Sequence, residues 1–167
     1  CPGCDDHSDG EKRRYLGVSV KRVADLPSNL VYDAKTSWLY VADSGNGRVI
    51  RLDSRNSVAT KSIPSFFGDG TLKAYSAPVV QALKTSELKM PSGLALDRDV
   101  LYVGDAQTGL ITAWKVDPAG ANGEFGTKIA TLNTGFKAGA LVGLTVGPDR
   151  KLYAIDRAGK RVVRVDP

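Results

Sequence analysis

Two groups of residues in this chain have the types and spacing to do chemistry. The first is N-terminal: Cys1-Pro-Gly-Cys4-Asp-Asp-His7. A c-type haem site needs Cys-x-x-Cys-His with the histidine adjacent; here two aspartates intervene, so haem attachment is rejected. A zinc site needs about four ligands. Cys1, Cys4, His7 and either Asp5 or Asp6 supply that number only with strained spacing. Thioredoxin-like exchange needs a βαβ context that the sequence does not offer. The expected state of Cys1 and Cys4 is a structural disulfide, within the pair or to a segment not included in the chain, which fits an extracellular or periplasmic protein. Free thiols, a metal site and a lipidated Cys1 stand as alternatives. The chain begins on Cys rather than Met, as a processed or excised chain does. The other 160 residues hold neither Cys nor His, so no Ser–His or Cys–His nucleophile pair can form within them.

The second group recurs. Asp43, Asp105 and Asp156 are spaced by 62 and 51 residues, and each is followed by a second aspartate (Asp53, Asp117, Asp166) after 10, 12 and 10. One chemistry for such a set is a ring of carboxylates around a divalent cation. The other is structural: each carboxylate accepts backbone N–H bonds in its own turn, as Asx turns do. Recurrence in every copy favours the structural role. Arg48 and Lys160 follow the turns and are placed to pair with them. Tyr40, Tyr102 and Tyr153 also recur, as packing residues between copies. Trp38 and Trp114 do not recur at one position, and with Phe66 and Phe67 they are the ligand-face candidates.

The elements that position these residues follow from a threefold repeat, Ser28–Asp53, Ser92–Asp117 and Val142–Asp166. Each copy has a short apolar strand, a polar turn, a strand opening on Leu-Tyr, a Gly-containing turn and a closing strand. Runs of Val, Ile, Leu and Tyr bounded by Gly, Asn and Asp read as antiparallel hairpins. Val58–Ile63 and Phe125–Leu132 are candidate fourth strands, and Val18–Ala24 a leading strand. Twelve strands make three four-stranded blades of an all-β propeller. Propellers usually have about four to eight blades, so three are expected to be open, or completed by further chain or a second copy. The expected division is a cysteine-bearing segment over 1–17 and blades over 18–167, with a loop insertion at 64–91 in which 76–89 could hold a short helix.

The string Pro-Ser-Gly-Leu-Ala-Leu-Asp at 91–97 resembles the opening strand of an NHL repeat. Leu-Tyr-Val-Ala-Asp-Ser-Gly-Asn-Gly-Arg-Val at 39–49 resembles its second and third strands. The second and third copies keep the Asp and a Gly but lose the Asn. Gluconolactonase-like and strictosidine-synthase-like propellers share the rhythm. The resemblance implies a six-bladed ring whose channel and loop faces bind protein, RNA or small ligands.

Lys and Arg number 23 against 18 Asp and Glu, a net charge of +5. A basic surface allows an acidic partner. No apolar run approaches the ~18 residues of a membrane-spanning helix. Only Glu11, Glu87 and Glu124 could serve a gluconolactonase-like cation site, and none lies on a convincing inner strand. The expected function is a non-catalytic scaffold that engages a protein or glycan partner through its loops. A part of a metal-dependent hydrolase or lyase, with a divalent cation in the channel, and an RNA-binding NHL domain are the competing readings.

Overall fold

The computed structural model describes residues 13–55, 58–64, 70–76, 79–118 and 125–166. Cys1, Cys4, His7, Phe66 and Phe67 lie outside the described residues. The strands are β1 (Arg13–Tyr15), β2 (Leu30–Asp33), β3 (Trp38–Asp43), β4 (Arg48–Asp53), β5 (Val58–Pro64), β6 (Thr71–Ser76), β7 (Val80–Leu83), β8 (Pro91–Asp97), β9 (Val100–Asp105), β10 (Leu110–Val116), β11 (Gly126–Asn133), β12 (Leu141–Val146), β13 (Leu152–Asp156) and β14 (Arg161–Val165). Among the described residues no helix is long and apolar enough to cross a membrane.

The chain is all-β and built of blade-like propeller units that do not close into a barrel. The first blade has the order β2-β3-β4-β7, the second β8-β9-β10-β11 and the third β12-β13-β14. Within each blade the pairing is antiparallel. A separate sheet, β1-β6-β5, includes one parallel pair, β1 with β6. The three repeat copies therefore form the hairpin triplets expected of them, and β11 is the outer strand expected near 125–132.

Three expectations need correction. Val58–Ile63 is a strand, but it pairs with β6 outside the blade, and the first blade's outer strand is β7. Burial decides between them: Leu83 on β7 is 1% exposed inside the core, whereas Val58 on β5 is 74% exposed. The segment 64–91 is accordingly more than a loop, since it holds β6 and β7, and no helix occurs over its described residues. Val18–Ala24 is not a strand; its backbone instead brackets the β3–β4 turn, where Gly45 N–H donates to Lys21 O at 2.8 Å.

The core lies between blades in two layers. Trp38, Tyr40, Ala42 and Val49 of the first blade meet Leu94, Leu101, Val103, Trp114 and Phe125 of the second. Ala95, Tyr102 and Ile111 of the second meet Leu141, Leu144, Leu152 and Ala154 of the third. Burying each large apolar side chain contributes about 1.5–3 kcal/mol. Polar stitches add register: Ser44 Oγ donates to Pro91 O (2.5 Å) and Ser92 Oγ to Leu141 O (2.7 Å), while the Asn29 amide donates to Ser92 O and Val142 O. The two outer faces are open. Leu30 is 62% exposed where its counterpart Leu94 is 3% exposed, and Val162 is 66% exposed where Val49 and Ile111 are 0% exposed.

Candidate functional site

The recurring aspartates are structural, but they do more than close their own turns. Asp105 accepts from Gln107 N and Thr108 N within its turn, and from Lys89 N and Met90 N of the segment leading into β8. Asp43 accepts from Lys21 N (2.8 Å), Asn46 Nδ2 and Arg48 Nε (2.6 Å). Asp156 accepts from Gly159 N and from Arg161 Nε, so in the third copy the paired cation is Arg161 and not Lys160. The Gly159 N–H and the Arg161 guanidinium hold the Asp156 carboxyl below the ordinary carboxylate range. Among the described residues no three of His, Cys, Asp and Glu come together to hold a metal ion.

These carboxylates sit at one end of the blades, and they are buried: Asp43 is 0% and Asp105 2% exposed. The cations around them are exposed. Lys21 and Arg22 flank the first turn, Lys84 and Lys89 the approach to the second, and Lys137, Arg157 and Lys160 the third. Burying the acids inside the turns and leaving the bases outside gives this rim a positive surface.

The tyrosines diverge with position. Tyr40 is fully buried, edge-on to Phe125 at 5.6 Å between ring centroids. Tyr102 is half-buried against the third blade. Among the described residues Tyr153 has no further blade beside it, and it donates to Asp149 Oδ2 at 2.8 Å, which raises its own pKa and lowers that of Asp149. Trp114 is buried within the second blade, its Nε1 donating to Thr112 Oγ1. Trp38 is buried too, but it borders a cavity.

That cavity, about 340 Å³, lies between the first two blades at the end opposite the basic rim. Asp33, Lys35 and Thr36 of the β2–β3 turn and Arg98 and Asp99 of the β8–β9 turn surround its mouth. Trp38, Tyr40, Arg51, Leu96 and Val116 line its interior. Arg51 is 0% exposed. Its guanidinium carbon stands 4.3 Å from the Trp38 ring centroid and 4.8 Å from that of Phe125. Nε donates to Gln81 Oε1 at 2.7 Å and Nη2 reaches Pro118 O at 3.5 Å, both neutral oxygens. Among the described residues Nη1 has no acceptor, and Tyr40 Oη, which lies beside the guanidinium, has none for its own proton. Burial pushes the Tyr40 hydroxyl above the ordinary tyrosine value, while the Arg51 guanidinium beside it, by hydrogen bonding and then by charge, pulls the other way. A buried donor left unmade costs about 1–3 kcal/mol, and more when charged.

Sequence reasoning missed Arg51, because Arg48 and Arg51 in β4 look like regularly spaced surface charges. The signal was present in the spacing. Side chains three apart on a strand point to opposite faces. Arg48 leaves with the turn, and Arg51 must share a face with Val49 and, across the ladder, with Tyr40.

No family model matches the chain, and no curated protein matches it.

Proposed function

We propose that the chain is a non-catalytic binding scaffold of NHL-like blades that engages an acidic protein or an anionic glycan through the turns of its basic rim. One observation carries this reading. The three rim carboxylates are buried in hydrogen bonds while the cations beside them are exposed. The open faces at Leu30 and Tyr32 and at Ile155 and Val162 extend the reading to a ring completed by further blades, from further chain or a second copy. Lys160 stands where Gly47 and Gly109 contact the following segment, so a fourth blade on that face has to leave room for a side chain.

The test is binding of the folded chain to a heparin-derived oligosaccharide and to a polyglutamate peptide, followed across salt. At least one should bind and weaken as salt rises, because exposed charge attraction is screened over about 10 Å at 0.1 M. Reversing Arg22, Lys137 and Arg157 to Glu should cut that affinity by about tenfold or more. If neither polyanion binds, the scaffold reading on this rim fails. Tighter binding of a uridine oligomer would favour the RNA-binding reading. That reading is weakened by the rim's only described aromatic, Phe136, being 9% exposed, since single strands are held by stacking on accessible rings.

A further inference from the structure

Arg51 is a fully buried cation whose hydrogen bonds go to neutral oxygens and whose Nη1 is unused. Nothing in the scaffold reading uses it. Tyr40 lines the same cavity, and its hydroxyl, beside the Arg51 guanidinium, has no acceptor for its own proton among the described residues. A guanidinium edge beside a phenol offers two donor atoms to a planar pair of oxygens, the geometry that carboxylates present. Around these donors the wall is apolar: Trp38, Leu96 and Val116. The cavity's volume, about 340 Å³, falls at the lower end of the range of small-molecule sites, about 300–1,000 Å³.

The mouth does not repel an anion. Asp33 is turned to its own loop, accepting from Lys35 N at 3.0 Å and Thr36 Oγ1 at 2.5 Å. Asp99 lies 4.0 Å from Lys115 Nζ, and Lys35 and Arg98 stand beside the opening. A phosphate dianion is a poorer match, because it brings more charge and more acceptor oxygens than two interior donors can satisfy.

We propose that the cavity between the first two blades binds a small organic monocarboxylate, its oxygens on Arg51 Nη1 and Tyr40 Oη and its apolar body against Trp38, Leu96 and Val116. This site lies at the opposite end of the blades from the basic rim and does not depend on what the rim engages.

The experiment is calorimetric titration of the full chain with benzoate, with benzamide and inorganic phosphate as parallel arms. Saturable benzoate binding is expected with a Kd below about 1 mM, as a buried cation should supply. Benzamide, which keeps the ring and loses the charge, should bind at least about tenfold more weakly. Tyr40→Phe keeps the ring against Phe125 and removes only the hydroxyl; it should weaken benzoate by about five- to tenfold. Arg51→Met should abolish measurable benzoate binding, with circular dichroism and melting confirming a folded chain. Should Arg51→Met fail to fold, Tyr40→Phe and the benzamide arm still decide. The proposal is overturned by absent saturation near 10 mM (about ten times the expected limit), by equal binding of benzoate and benzamide, by unchanged binding in Tyr40→Phe, or by phosphate binding more tightly than benzoate. Triple reversal of Arg22, Lys137 and Arg157 should leave benzoate binding unchanged, which separates this site from the rim.

Discussion

The two inter-blade layers are copies of one arrangement that have been filled differently. In the first, large rings meet: Trp38 and Tyr40 face Trp114 and Phe125, and Arg51 is inserted among them. In the second, aliphatic side chains and glycines take the place of most of the rings. Gly93, Gly104 and Ala95 face Leu141, Leu144 and Ala154, and the backbones approach so closely that a Cβ on Gly93 would stand 2.8 Å from Leu144 Cγ. The ladder position of Arg51 is taken in the second blade by Ala113, since each pairs with its blade's tyrosine. Large rings cannot interdigitate as tightly as Ala and Gly, so the first layer keeps a cavity and the second closes. In the third blade Arg164 pairs with Tyr153 at this position and is exposed, so the same residue type is enclosed only where aromatic rings of two blades meet around it.

The largest effect should come from removing a ring of the first layer. Phe125→Ala takes away the partner of Tyr40 and one of the two rings against Arg51, and should destabilise by about 3–5 kcal/mol in denaturant unfolding. In the second layer the corresponding lesion is addition. Gly93→Ala drives a methyl into Leu144 and should cost about 1–3 kcal/mol; a neutral result would mean the second layer has slack like the first. Arg51→Met separates packing from charge. Replacing a buried charge with an apolar chain of similar reach should leave stability unchanged or raise it by about 1–2 kcal/mol, and a large loss would show that stacking outweighs desolvation. The smallest effect concerns the turns of the second and third blades. Arg98 and Arg150 both hold left-handed backbone, at φ 57° and 61°. Arg98→Gly should gain up to about 1 kcal/mol. Arg150→Gly should gain less, because it also gives up the exposed ion pair with Asp97, worth about 0–1 kcal/mol. A gain for Arg150→Gly equal to that for Arg98→Gly would mean that pair contributes nothing.

The hairpin triplets were legible because each copy repeats the same alternation and the same turn chemistry. The first blade's outer strand was not. Val58–Ile63 and Val80–Leu83 are both short runs of strand-forming residues, and only the fit of Leu83 into the first layer separates them. The structural role of Asp43, Asp105 and Asp156 could be read from their recurrence, but their bonds to a preceding segment could not, since Lys21 and Lys89 are 22 and 16 residues away. One contrast becomes readable only with the structure. Gly47 and Gly109 take left-handed backbone, and a Cβ added there would stand 3.2 Å from Lys89 O and 2.6 Å from Phe136 O, a tight fit at the first and a collision at the second. Lys160, at the same step of the third turn, is equally left-handed but exposed. Among the described residues nothing abuts Lys160, so the turn there accepts a side chain without changing its backbone. The cavity itself was hidden, because it arises from two blades whose mouth residues are more than 60 positions apart in sequence.

The path from β4 to β7 has a consequence for the order of folding. The second blade joins β10 to β11 across nine residues, but the first must make the β5–β6 detour before β7 can dock. Longer closures cost more entropy before their contacts repay it. Gln81, which holds the Arg51 guanidinium, arrives only with β7, and Phe125 only with the second blade. The charge at the heart of the first layer therefore stays hydrated through the early steps, and shedding its water becomes one of the last events in forming the native state.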